Sequence, residues 1–165
     1  MDILHYLKTQ HESIRANYQR VVEAKAPKDR KTQLECLVRS TQVYLTLQRD
    51  FLYPELAGSF SSADSLISAS EGNARSLDKA LKSIVNTAAK PALDAAAFED
   101  KMVLLGRALS THFDQEEQNL LPKVRDFIRT EDREDLGLVF ADAEQDLLAA
   151  LNGKDDSSSA RRKRA

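Results

Sequence analysis

The apolar positions recur at the three- and four-residue spacing of amphipathic helices, and no segment alternates with the two-residue period of a strand. Leu4, Leu7, His11, Ile14, Tyr18 and Val21 form a first stripe. It predicts a helix from residue 2, where Asp2 suits an N-cap, to about residue 25. Ala26-Pro27 ends it. Leu34, Leu37, Thr41, Tyr44, Gln48, Phe51 and Leu52 predict a second helix over about 29–56, with Pro54 kinking or closing its last turns. After a turn at 58–62, Leu66, Ser70, Asn73, Leu77, Leu81 and Ile84 predict a third over 63–88, broken by Ala89-Lys90-Pro91. The longest stripe, Phe98, Met102, Leu105, Leu109, His112, Glu116, Leu120, Val124 and Phe127, predicts a fourth over about 93–128. Thr130 can cap a fifth, shorter helix to about residue 151, with Leu136, Val139, Phe140, Ala143, Leu147 and Leu151 on its apolar face.

Four long amphipathic helices with short connections pack as an all-α, antiparallel up-down four-helix bundle. The fifth helix is expected to cover one side or end; a partner surface is the alternative for its apolar face. Residues 1–152 make one domain, a length able to bury a real core. Residues 153–165 carry Ser157-Ser158-Ser159 and end in Arg161-Arg162-Lys163-Arg164, which reads as a disordered basic tail, either solubilising or docking.

Composition narrows the function classes. The net charge of −2 removes the generic electrostatic case for nucleic-acid or membrane binding. No run of about 18 apolar residues would span a membrane, and the N-terminus lacks a signal-peptide pattern. The single cysteine, Cys36, excludes an intrachain disulfide framework and is expected to be a small core residue. A cytoplasmic location fits these features.

The informative positions are the polar ones on inward stripes, because a buried polar group costs free energy unless it is satisfied. They are His11 on the first helix, Thr41, Tyr44 and Gln48 on the second, Ser70 and Asn73 on the third, and His112 and Glu116 on the fourth. All fall near mid-helix, so an up-down bundle can bring them to one level. His112 and Glu116, four apart, can reach one point between helices, and imidazole with carboxylate suits iron, manganese or zinc. His5, Asp50, Asp114 and Glu117 fall off the stripes and read as solvated charges. No phosphate loop, catalytic triad or zinc-finger spacing occurs, so no enzymatic activity is expected.

An internal echo adds to this. The segment from Tyr44 through Gln48 and Leu52 to Pro54 aligns without gaps on that from His112 through Glu116 and Leu120 to Pro122. Tyr44 then stands against His112, and Gln48 against Glu116.

The His112-Phe-Asp-Gln-Glu116 motif with its Leu121-Pro122 element, and His11-Glu12 on the first helix, resemble the hemerythrin HHE cation-binding family over about residues 1–130. That resemblance implies an antiparallel four-helix bundle with a non-haem di-iron centre that binds oxygen, handles iron, or senses oxygen or nitric oxide. The chain departs from the pattern where Tyr44 replaces a histidine, Gln48 replaces a bridging glutamate, and Gly72, Asn73 or Ala74 occupies the place of the third-helix histidine. One carboxylate cannot readily offset the charge of two irons, so an intact di-iron centre is not expected. Two readings stay open. In one, His11, Tyr44, Gln48, Asn73, His112 and Glu116 form a metal-free polar network in a regulatory or sensing protein that acts through protein contacts. A fifth-helix or tail surface would carry those contacts. In the other, one divalent iron, zinc or manganese sits on His11, His112 and Glu116, with Tyr44 as a possible fourth ligand.

Overall fold

The computed structural model describes residues 1–90 and 92–162, with side chains through Leu151. The described residues form helices joined by short links, without a strand among them. The helix α1 (Ile3–Glu23) is capped by the Asp2 carboxylate, which accepts from the Leu4 N–H. Pro27 does not only end α1; it is the first residue of α2 (Pro27–Leu47), where its missing N–H costs nothing. The expected second helix then continues as a five-residue π turn (Gln48–Leu52) and the short α3 (Tyr53–Leu56). After a turn in which Gly58 takes a φ of +69°, α4 spans Ala63–Ala88, as its periodicity predicts. Pro91 lies outside the described residues. The fourth helix starts two residues later than its stripe suggests, because Asp94 caps α5 (Ala95–Gln115) by accepting from the Ala97 N–H. A second π turn (Glu116–Leu120) leads into α6 (Leu121–Phe127).

Thr130 is the first residue of α7 (Thr130–Arg162), which runs past the expected end near residue 151. The tail expected over 153–165 falls on residues whose side chains, and for 163–165 whose backbone, lie outside the described residues.

α1 pairs with α2 and α4 with α5. The inward stripes of all four long helices fill one core, from Ile3, Leu7 and Ile14 through Leu37, Leu77 and Leu81 to Leu105 and Val124. Part of the apolar face of α7 packs within the molecule. Phe140 is fully buried, its ring edge-on to Tyr6 and Phe51 at centroid distances of 5.7 and 6.3 Å. Polar contacts fasten the same face: the Tyr6 hydroxyl donates to Glu144 at 2.7 Å, and Arg133 pairs with Asp2 at 2.8 Å.

Three core assignments need correction. Cys36 is exposed, because Leu34, Leu37 and Thr41 take the inward face and turn it outward. Val139 and Phe127 are 47% and 57% exposed. Val139 stands one residue off the Phe140 line, and Phe127 stacks on Phe60 across the surface at the end of α6. Among the described residues no helix is long and apolar enough to cross a membrane.

Candidate functional site

Polar residues from three of the four long helices meet in one buried cluster. His11 comes from α1, Tyr44 from the last turn of α2, His112 from α5, and Gln48 and Glu116 each open a π turn. All five are at most 1% exposed. A π turn adds about one residue to a helical turn, and its wider backbone re-aims the side chain that opens it. Here the same device presents Gln48 and Glu116 to each other from two helices.

Glu116 is the hub. Its Oε2 accepts from the Tyr44 hydroxyl at 2.5 Å and lies 3.2 Å from His11 Nε2. Its Oε1 accepts from Gln48 Nε2 at 2.5 Å and from the Tyr53 hydroxyl at 3.3 Å, with His112 Nε2 at 3.6 Å. A carboxylate only accepts, so the Gln48 amide must turn its NH2 toward Glu116, leaving its Oε1 for His112 Nε2 at 2.9 Å. His112 therefore donates from Nε2, and its buried Nδ1 has no partner among the described residues. The Tyr44 oxygen also accepts from Gln48 Nε2 at 2.7 Å and faces His11 Nε2 at 2.6 Å, which fills its capacity.

His11 is held on both sides. Its Nδ1 lies 2.7 Å from Glu117 Oε1, which Arg15 also grips at 2.8 Å, and its ring stacks on Phe113 at a centroid distance of 4.2 Å. Both ring nitrogens of His11 therefore face acceptor oxygens, Glu117 Oε1 at Nδ1 and Glu116 Oε2 at Nε2.

The electrostatics follow from this packing. Burial alone pushes the Glu116 carboxyl up, but the two imidazoles and the Tyr44 hydroxyl outweigh it and hold the group below the usual carboxylate range. Burial and the Glu116 charge push the Tyr44 phenol well above its ordinary value, so Tyr44 enters the cluster as a neutral donor. Tyr53 is raised for the same two reasons. Burial lowers the His112 imidazole and keeps it neutral. Burial tends to raise Glu117, but Arg15 and His11 together bring it down.

Two expectations are revised. Asn73 is only half-buried and makes no hydrogen bond among the described residues, so it stands outside the network; Gly72 and Ala74 beside it are half-buried as well. Glu117 is not a solvated surface charge but the outer clamp on His11. Tyr53, absent from the inward stripes, is the other addition. The one available signal for it was a hydroxyl against Leu121 in the internal alignment.

A family model described as the hemerythrin HHE cation binding domain matches residues 2–124. The chain belongs to this family. Among solved structures, a hemerythrin HHE cation binding domain-containing protein, the Rv2633c homolog from Mycobacterium kansasii, superposes with a TM-score of 0.79. The likeness covers 93% of this chain and 91% of that one at 22% identity, and so establishes the shared fold. No curated protein matches the chain.

The hemerythrin family implies a cation site, and the resemblance in sequence implied two irons. The side chains present do not fit a di-iron centre. Among the described residues one carboxylate, Glu116, and two imidazoles, His11 and His112, reach the cluster. The Gln48 amide aims an N–H at the carboxylate that would have to bridge, and the Gly72–Ala74 stretch offers no ligand. Among the described residues no three His, Cys, Asp or Glu side chains are disposed to hold a metal ion.

Proposed function

We propose that this hemerythrin-family chain is a non-enzymatic, cytoplasmic regulatory or sensing protein that acts through protein contacts. In this reading its core is organised by hydrogen bonds where a metal centre would otherwise stand. One observation carries it: the Gln48 amide donates to both Glu116 and Tyr44, at 2.5 and 2.7 Å, and accepts from His112. A neutral amide in that place supplies the donors that a buried carboxylate requires without a cation. A bridging carboxylate there would instead set two like charges side by side.

Metal analysis of purified protein tests this, after anaerobic reconstitution with iron(II) and, separately, with zinc and manganese. We expect a folded chain with substoichiometric metal. Stoichiometric metal that disappears in His112→Ala would overturn the reading. It would favour the mononuclear alternative, one divalent ion on His11, His112 and Glu116 with Tyr44 as fourth ligand. That alternative draws on the approach of both imidazole Nε2 atoms to a single carboxylate, at 3.2 and 3.6 Å.

The protein contacts are assigned to the outer side of α7, where Leu138 and Val139 are 59% and 47% exposed, and to the basic residues 161–164. Nucleic acid is not an expected partner, since the chain as a whole carries a slight negative charge. Pull-down with and without residues 153–165 separates the two surfaces. Unchanged partner recovery would discard the role of residues 153–165 and leave the Leu138–Val139 face of α7 as the assigned surface.

A further inference from the structure

A cavity of about 590 Å³ opens between α2, α4 and the stretch of α7 around Leu147–Leu151. That volume lies within the range of small-molecule sites. Val43, Leu147 and Leu151 make its apolar wall, and Tyr53, 5% exposed, stands at its inner side. The Tyr53 hydroxyl donates into the buried network, 3.3 Å from Glu116 Oε1. The cavity therefore touches the polar cluster through one side chain.

Most charges on its rim are already used. Lys82 pairs with Asp78, and Arg49 binds Asp50 through two N–H groups at 2.6 and 2.9 Å. Two charges are left over, both on α4 and one helical turn apart. Arg75 is exposed and makes no ion pair or hydrogen bond among the described residues. Glu71 is half-buried, on the Tyr53 side, where its charge helps to raise the phenol. A free guanidinium beside an aliphatic wall suits an acid group carried on a hydrocarbon body. Glu71 repels a second acid group and so selects against a dianion.

We propose that this cavity is a ligand site for an amphipathic organic monoanion, with its acid group on Arg75 and its hydrocarbon part on Val43, Leu147 and Leu151. The proposal deepens the regulatory reading by naming the class of signal. A bound molecule touches α7 through Leu147 and Leu151, and touches the Glu116 network through Tyr53. The site does not require that the core be metal-free, and its test reads ligand binding rather than metal content or partner recovery, so either idea can fail alone.

The test uses the full chain and two monoanionic probes, the fluorescent sulfonate 1-anilinonaphthalene-8-sulfonate and dodecanoate as its competitor. We expect saturable one-to-one binding of the fluorophore, displaced by dodecanoate and not by dodecylammonium. Arg75→Glu and Leu147→Asp should each weaken it by about tenfold or more. Because the fluorophore also marks loosened chains, far-UV circular dichroism and melting temperature are recorded for each variant. If either variant is destabilised, the milder Arg75→Gln takes its place, with a smaller loss expected. The proposal is overturned by absence of saturable binding to the folded chain, by equal competition from dodecylammonium, or by variant affinities within about twofold of the original.

Discussion

The two halves of the bundle use one backbone device for opposite electrostatic ends. In each, a helix bearing an inward aromatic ring passes into a five-residue π turn, Gln48–Leu52 or Glu116–Leu120, and resumes at a residue followed by proline. Tyr53 N–H reaches back five residues to Gln48 O, and Leu121 N–H does the same to Glu116 O. Pro54 and Pro122 have no N–H to offer the carbonyl four residues earlier, and the wider turn lies just before each. The side chains then diverge. The second half presents a carboxylate with an imidazole; the first presents an amide with a phenol. The halves fit because they differ: a buried charge on one side is met by neutral donors on the other, where two identical halves would need a cation between them.

The strongest way to break this complementarity is to make the halves alike. Gln48→Glu places a second carboxyl against Glu116 in a site without solvent. It should cost about 3–5 kcal/mol at pH 7, read by urea denaturation of metal-free protein. The new pair shares a raised folded-state pKa, so its stabilising protonated form is lost as pH rises; the deficit should therefore shrink between pH 7 and pH 5. A deficit independent of pH would mean that the two carboxyls do not interact.

Removing the phenol is the next largest perturbation. Tyr44→Phe takes a donor from Glu116, leaves one Gln48 N–H facing carbon, and leaves His11 Nε2 only its longer contact with Glu116 at 3.2 Å. A loss of about 2 kcal/mol follows from stranded buried polar groups. A change near zero would show that water or repacking replaces the hydroxyl.

The pH dependence of the original chain sharpens the contrast further. His112 and Glu116 both have folded-state pKa values below their ordinary ones, so each contributes stability at neutral pH that is lost on acidification. For His112 the loss begins as pH falls past its unfolded value near 6.5, and for Glu116 past about 4.5. In stability measured against pH, His112→Gln should remove the upper part of the acid limb and leave the lower part. An unchanged upper limb would locate that titration elsewhere.

The smallest expected effect tests the shared backbone. Pro54→Ala and Pro122→Ala should each cost about 0.4–1 kcal/mol, by similar amounts, through the gain in unfolded-chain freedom. Unequal costs in equilibrium unfolding would show that one π turn depends on its proline and the other on its buried side chain.

Much of the fold was legible in the residue pattern, since helix periodicity and capping are local properties. The stripe on α4 predicts a helix over about 63–88, where α4 spans Ala63–Ala88, and the alignment of Tyr44–Pro54 on His112–Pro122 relates the two halves in which the π turns occur. Of the cluster, His11, Tyr44, Gln48, His112 and Glu116 were visible as polar residues on inward stripes. Glu117 and Tyr53 were not. Reading faces at 100° per residue assumes an unbroken α-helix, and both residues lie within or just beyond a π turn, where that count fails. Asn73 shows the opposite error: an inward stripe position gains a network role only if a partner stands across from it.

By itself, then, the chain's pattern determined a helical bundle, its two related halves and the set of polar residues turned toward the core. Only the tertiary structure decided which way the Gln48 amide points, that Glu117, gripped by Arg15, clamps His11, and that Phe140 of α7 packs into the bundle. Those outcomes depend on distances between helices far apart in sequence, and a hydrogen bond forms or fails over tenths of an ångström that no local spacing encodes.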